Sequence, residues 1–320
     1  MQTLPFANGD EMPALGLGTW KSSPGEVGTA VEEALRLGYR HLDCAAIYMN
    51  EAEIGVALAR CFGKGLVARE ELWVTSKLWC NSHRDRDVQP AVEQSLRDLG
   101  LDYLDLYLVH WPVALKHDVW RPDKPSDFVS LRDIPLEETW GAMQRLLEKG
   151  LVRHIGVSNY SAQNLSRHLD EPHPPEMNQV EIHPYLQQPD LVRFAHEHGI
   201  HVTGYSPLGS GDRPSSMKAE QEPVLLRDAT IQAIAHEADA SPAQVMLAWA
   251  LQRLNAVIPK SVDPDRLRQN LEAADLKLDP SAMERISGID RARRYITGTF
   301  WAPPGSPYSV ETLWGEALPR

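Results

Sequence analysis

Leu72-Trp73-Val74-Thr75-Ser76-Lys77, an amphipathic segment over 86–99 that stops at Gly100, and Leu104-Asp105-Leu106-Tyr107-Leu108-Val109-His110 read as strand, helix and strand. Short apolar runs separated by a helical pattern point to a parallel sheet. Both runs finish on an ionisable side chain. Arg40-His41-Leu42-Asp43 does the same upstream, with Tyr48 five residues beyond it. In a closed parallel barrel the C-terminal strand ends converge on one rim, so Asp43, Tyr48, Lys77 and His110 are expected to meet there although far apart in the chain.

Outward from this unit the alternation continues. Strand candidates begin near Ala14, Arg40, Leu72, Leu104, Val152, Glu176, His201 and Ala256, with helical patterns near 25–37, 51–62, 86–99, 137–149, 161–169, 189–198, 227–238 and 264–273. Eight such units predict an α/β fold, a (β/α)8 TIM barrel forming one domain over 1–320, rather than an open sheet. Gly38, Gly100, Gly150 and Gly199 each follow an apolar-periodic segment, where glycine relieves the left-handed cap. Ser241-Pro242 opens an additional helix over 241–253. Asn8-Gly9, between Leu4-Pro5-Phe6 and Met12-Pro13-Ala14, predicts a short N-terminal β-hairpin.

Three segments are too long for plain connections: 111–135, 206–223 and 291–320. Irregular loops of that length are usually functional. The first two follow the fourth and seventh strands, so both loops and the tail are expected to wall a pocket on the catalytic rim.

A chain of 320 residues buries enough surface to complete a barrel without staples. Its net charge of −12 argues against nucleic-acid or anionic-membrane partners. An anionic ligand would need a local basic patch. Cys44, Cys61 and Cys80 lack Cys-x-x-Cys spacing, which suggests buried thiols in a reducing compartment. No secretory signal and no apolar run near the roughly 20 residues of a membrane span are present. A cytoplasmic protein, monomeric, is expected. His196 and His198 lie two apart late in a helix and so face different ways; no metal is expected.

The rim residues suggest proton chemistry. A phenol has an unperturbed pKa of about 10. An ammonium such as Lys77 would lower that of Tyr48 while Asp43 holds the lysine in place, making Tyr48 a usable general acid. His110 would donate a hydrogen bond to the same substrate oxygen. Singly each residue has an ordinary reading, as a strand-end cap, a solvated charge or a hydrogen-bonded rim group. Together on one rim they carry weight.

The chain resembles the aldo-keto reductases through Gly16-Leu-Gly18-Thr-Trp20, Gly38-Tyr-Arg-His-Leu-Asp43, Tyr48-Met-Asn-Glu51, Ser76-Lys77-Leu-Trp79, Leu106-Tyr-Leu-Val-His-Trp111 and Ile155-Gly-Val-Ser-Asn159. Asn178-Gln-Val-Glu-Ile-His183-Pro184, Gly204-Tyr-Ser-Pro-Leu-Gly209 and Ile258-Pro-Lys-Ser261 extend the match over nearly the whole length. The resemblance implies that Asp43, Tyr48, Lys77 and His110 are a catalytic tetrad. It also implies NADPH bound across the rim without a Rossmann domain, NADH being a weaker alternative. Gly16-Leu-Gly18 indeed lacks the third glycine of that fingerprint. By the motifs, Ser158, Asn159 and Gln179 would hold the carboxamide and Tyr205 would stack on the nicotinamide. Ser206, Leu208 and Ser210 would meet the pyrophosphate, and Gly18, Thr19 and Trp20 would lie against the cofactor. Lys260, Ser261 and Arg266 would take the 2′-phosphate, and Gln269 and Asn270 the adenine. Asp263 departs from the uncharged residue common at its position, and a carboxylate there would repel a phosphate.

Trp20, Ile47, Trp79, His110, Trp111, Trp120 and Trp301 are expected to bound a substrate pocket whose aromatic walls suit aromatic and medium-chain aldehydes, small carbonyl compounds reduced to alcohols; the resemblance, strongest to the aldehyde and aldose reductases, implies sugar aldehydes as well. Lys116, Arg121 and Lys124 could instead bind a sugar phosphate, though a solvated loop explains them better. Two other functional readings stand beside reduction: a lyase forming a Schiff base on Lys77, and a non-catalytic or redox-sensing NADP-binding barrel.

Overall fold

A computed structural model describes residues 2–253 and 255–315. In chain order the strands are β1 (Thr3–Pro5), β2 (Glu11–Pro13), β3 (Leu17–Gly18), β4 (His41–Asp43), β5 (Trp73–Leu78), β6 (Leu104–Val109), β7 (Ala114–Leu115), β8 (Phe128–Val129), β9 (Val152–Ser158), β10 (Met177–Glu181), β11 (His201–Tyr205) and β12 (Ala256–Val257). The α-helices are α1 (Val27–Leu37), α2 (Glu51–Gly63), α3 (Asp85–Leu99), α4 (Leu136–Glu148), α5 (Ala162–Ser166), α6 (Pro189–Glu197), α7 (Ala229–Glu237), α8 (Pro242–Gln252), α9 (Pro264–Glu272), α10 (Pro280–Ser287) and α11 (Val310–Trp314).

Eight parallel strands run in the order β12-β11-β10-β9-β6-β5-β4-β3. The ring closes through Gly16 N to Val257 O at 2.9 Å, Val257 N to Ala14 O at 2.7 Å and Gly18 N to Pro259 O at 3.1 Å, which makes a (β/α)8 barrel of the expected strands. At this seam a Cβ on Gly18 would lie 2.6 Å from the Ile258 carbonyl oxygen, so only glycine lets the first and last strands approach. The helices present apolar stripes inward; α1 buries Val27, Ala30, Val31, Ala34 and Leu35, the i, i+3, i+4 spacing of one face.

The four helix-stopping glycines all have positive φ, 108° at Gly38 and 66–70° at the other three, as the cap reading requires. Ser241 caps α8 with a reciprocal bond from Gln244. The N-terminal hairpin pairs Leu4 with Met12 and inserts Phe6 against Trp73 and His154, closing the N-terminal end of the barrel.

Three details depart from the sequence reading. The loop after β6 is not irregular, because β7 and β8 pair within it. The tail contains α11. Helix α10 was not expected; its start is signalled by Asp279 capping Ala282 N and by Pro280 in its first turn, but the segment is short. Hydrophobic packing divides into the barrel core and a second cluster on the C-terminal rim, built from Trp79, Trp111, Leu115, Phe128, Trp301, Tyr308, Leu313 and Trp314.

Candidate active site

The strands deliver the rim residues in sequence order. Asp43 is the last residue of β4, Lys77 sits next to the end of β5, His110 follows β6, and Tyr48 closes a 3-10 turn over Ala46–Tyr48. Lys77 is 0% exposed, so its charge needs partners inside the protein. Its Nζ donates to Asp43 Oδ2 at 2.7 Å and to the Cys44 carbonyl at 2.8 Å, and Gln179 Nε2 donates to Asp43 Oδ1 at 2.7 Å. Beneath them Glu51 is also buried and accepts from Ser76 Oγ at 2.5 Å and Ser95 Oγ at 2.8 Å.

Tyr48 is half-buried, its ring centroid 5.2 Å from Lys77 Nζ and 5.8 Å from the His110 ring, which meets it edge-on. Its pKa is raised well above the ordinary phenol value, first by burial and then by the Asp43 carboxylate. The expectation that Lys77 would bring it below the ordinary value is therefore corrected: burial and Asp43 outweigh the lysine. The lysine's charge is met at 2.7 Å by Asp43, and two of its three N–H groups are already committed. At neutral pH the phenol keeps its proton. His110 is pushed well below the usual imidazole range by burial, then by Lys77 and His83, so it is a neutral imidazole. Among the described residues its buried Nδ1 has no hydrogen-bond partner, which favours the proton on Nε2.

The residues assigned to a nicotinamide by resemblance form one network beside these four. Asn159 is in the left-handed region with φ 63°; its Nδ2 donates to His110 O at 2.9 Å and its Oδ1 accepts from Tyr205 Oη at 2.8 Å. Ser158 Oγ donates to Gln179 O at 2.7 Å. Thr19 Oγ1 donates to Asp43 O at 2.8 Å, and Trp20 lies over Tyr48 at 6.4 Å. Ser206 and Ser210 also have positive φ, 49° and 47°, and Leu208 between them is half-buried. Non-glycine residues adopt this region uncommonly.

At the other end of the rim Lys260 is half-buried, Ser261 and Asn270 are buried, and Arg266 and Gln269 are exposed. Asp263 has a local role: it is the N-cap of α9, and its carboxylate accepts from Arg266 N at 2.9 Å. Sequence reading missed Lys21. Its Nζ crosses from the loop after β3 to the loop after β11, bonding Ser210 Oγ at 2.8 Å and Asp212 Oδ1 at 2.5 Å. Burial lowers its pKa, and Asp212 opposes this more than Lys260 and Arg213 add to it.

Above Tyr48 the aromatic side chains assemble largely as expected. Trp79 meets His110 at 5.2 Å and Trp301 at 5.6 Å, Trp111 meets Trp301 at 5.7 Å, and Trp20 and Ile47 pack against the cluster. Trp120 is 45% exposed, and its carbonyl accepts from Trp79 Nε1 at 2.7 Å. Phe128, Phe300, Tyr308 and Trp314 were not singled out; the aromatic density of the tail was the available signal. Lys116, Arg121 and Lys124 are exposed. His198 bonds Phe194 O within α6, and among the described residues no three His, Cys, Asp or Glu side chains are grouped to hold a metal ion. Cys44, Cys61 and Cys80 are buried free thiols. No helix among the described residues is long and apolar enough to cross a membrane. Two clefts, of about 380 Å³ between α3 and α4 and about 420 Å³ beside α6 and the tail, involve none of the four rim residues.

Comparison with known proteins agrees with this geometry. The model of the aldo/keto reductase family matches residues 14–291. An aldo/keto reductase of Synechocystis sp. is 56% identical over 317 residues, covering 99% of this chain and 97% of the relative. Aldo-keto reductase family 1 member A1 of Sus scrofa is 45% identical over 90% of this chain and 89% of its own. Among solved structures, the aldose reductase from Schistosoma japonicum superposes with a TM-score of 0.86 at 39% identity, covering 96% of this chain and 99% of that one.

Proposed function

The chain belongs to the aldo/keto reductase family, oxidoreductases that act on carbonyl compounds, and from that premise we propose that it is an NADPH-dependent aldehyde reductase. One observation carries the proposal: a protonated phenol, Tyr48, lies beside a buried Lys77–Asp43 ion pair and a neutral His110, under an aromatic roof.

The donor set suits the cofactor. Ser158, Asn159 and Gln179 offer amide and hydroxyl partners for a carboxamide, and Tyr205 offers a ring face at the end of β11. Lys260, Ser261 and Arg266, with Lys21 nearby, make a local basic patch for phosphate in an acidic protein. A 2′-phosphate is what distinguishes NADPH from NADH, so these cations support NADPH, with NADH the weaker ligand. When bound, the cofactor supplies the hydride.

The protein's own groups do the rest. His110 donates from Nε2 to the carbonyl oxygen and orients it. Tyr48 delivers the proton to that oxygen as negative charge builds there. The Lys77 ammonium, fixed by Asp43 and Cys44 O, stabilises the phenolate left behind. Stabilising the phenolate lowers the Tyr48 pKa, so Lys77 works against the larger upward push of burial and Asp43. The Trp20, Trp79 and Trp111 walls exclude water and favour aromatic and medium-chain aldehydes, with sugar aldehydes a further class.

The same geometry disfavours Lys77 as a Schiff-base nucleophile, since that role needs a free amine and this one is fully buried and ion-paired. Oxidation of NADPH and of NADH, followed spectroscopically over a panel of aldehydes, tests the proposal. Turnover faster with NADPH on aromatic aldehydes is expected. No turnover with any member leaves a non-catalytic cofactor-binding barrel, and borohydride trapping of substrate on the protein establishes a lyase instead.

A further inference from the structure

Glu181, the last residue of β10, is 0% exposed, and its carboxylate bonds the root of the C-terminal tail rather than the four rim residues. Its Oε1 accepts from His183 Nε2 at 2.8 Å and from the Tyr295 backbone N–H at 2.7 Å; its Oε2 accepts from the Ile296 N–H at 2.8 Å. Burial by itself would raise its pKa, but His183, Arg294 and the Tyr295 N–H hold it below the ordinary carboxylate value. A fully buried carboxylate is costly to keep, and here its bonds are made to His183 and to two consecutive amides more than a hundred residues away.

Those amides stand where the chain starts the tail. Beyond them Trp301 packs on Trp79, and Trp79 packs on His110, each at ring distances below 6 Å, 5.6 and 5.2 Å. Trp301, Tyr308 and Trp314 belong to a cluster separate from the barrel core, which holds Tyr295; the tail is tied down at the Glu181 joint and again at Tyr308, whose Oη accepts from Ala114 N at 2.8 Å and donates to Val129 O at 2.6 Å. The same joint also reaches the loop after β11: Tyr295 Oη donates to Pro223 O at 2.9 Å, and Arg293 pairs with Glu222, which also pairs with Arg213.

We propose that Glu181 is a positioning residue that fixes the C-terminal tail as a wall of the substrate pocket and thereby sets the affinity for large aldehydes without touching them. The kinetic part rests on the reductase reading; the anchoring part does not. Glu181→Gln keeps the shape but turns an N–H donor toward one of its three donors. Loss of a charge-assisted bond at the joint should raise KM for 2-naphthaldehyde by about tenfold or more while kcat, and KM for propanal, stay within about threefold. Equal changes for both aldehydes, or a fall in kcat with both KM values unmoved, overturn the proposal. In a double-mutant cycle, adding Glu181→Gln to Trp301→Ala should raise KM for 2-naphthaldehyde no further, and additive effects overturn it.

Hydrogen exchange reads the anchor independently of activity. In the wild-type protein the Tyr295 and Ile296 amides should be protected, and Glu181→Gln should speed exchange across 297–314 while the barrel strands stay protected. If wild-type protein reduces no aldehyde, the functional reading fails alone and exchange still decides the anchor. If Glu181→Gln does not fold, exchange of the wild-type amides decides, and unprotected amides at 295 and 296 overturn the proposal.

Discussion

Replacing Lys77 by Met removes a buried cation and leaves its partner in place. Asp43 is 2% exposed and retains only the Gln179 bond at 2.7 Å, while the Cys44 carbonyl loses its 2.8 Å donor. Breaking one side of a buried ion pair costs about 3–5 kcal/mol, because the remaining charge has neither water nor a counter-ion. Unfolding entropy of about 2.1 cal/mol/K per residue gives roughly 0.7 kcal/mol per degree for a chain of this length, so the melting temperature should fall by about 4–7 °C. Asp43→Asn should cost a similar amount, since it strands the ammonium instead. The double variant Lys77→Met/Asp43→Asn removes both charges, so its loss should be smaller than the sum of the single losses by about 2 kcal/mol or more. Urea unfolding of the four proteins at pH 7 measures this cycle. Additivity within about 0.5 kcal/mol, or single losses below about 1 kcal/mol, would refute the claim that the pair is a mutually dependent buried unit.

Tyr48→Phe should retain NADPH affinity within about twofold but lose about 10²–10⁴-fold in kcat, measured by cofactor fluorescence titration and steady-state turnover; unchanged kcat removes Tyr48 as the acid. Lys260→Ala with Arg266→Ala should raise KM for NADPH far more than for NADH, and equal increases detach the two cations from a phosphate. Because His110 is held neutral, kcat should show no titration between pH 6 and 8; an inflection near 6.5 that vanishes in His110→Gln would contradict its assignment. His41 is buried and its pKa is lowered, chiefly by burial, to about 4. The unfolded chain therefore binds the extra proton first, so stability should fall as pH drops from about 6.5 towards 4, by up to about 3 kcal/mol from this group. Urea midpoints at pH 7 and 4.5 test the sign, and His41→Leu should flatten the slope.

What the sequence disclosed is what local chemistry determines. Asp43, Lys77 and His110 could be placed because each terminates an apolar strand, and strand ends in a barrel share a rim. Gly38 and Gly100 marked helix ends because a left-handed cap leaves little choice of residue. The acid strength of Tyr48 was misread because it depends on how tightly burial and Asp43 surround the ring, and on how completely Asp43 neutralises Lys77; neither follows from adjacency in a motif. Tryptophan in a long loop suggests a pocket wall, but no pattern in the sequence points to the bond that the Trp120 carbonyl accepts from Trp79. Lys21 and Glu181 were beyond reach for a different reason. Their partners, Asp212 and residues 295–296, lie more than a hundred positions away and have no periodicity connecting them to these residues.

The joint between β3 and β12 is held by three backbone bonds between segments that are some 240 residues apart in the chain. Lys260 and Ser261 stand one step past it on one side, with Lys21 just past it on the other. A dinucleotide gripped from both sides would rivet the two edges together, adding stability that grows with its concentration over its dissociation constant. The lifetime of the folded enzyme would then track the supply of its own coenzyme, so that starving the protein of reductant would also loosen its hoop.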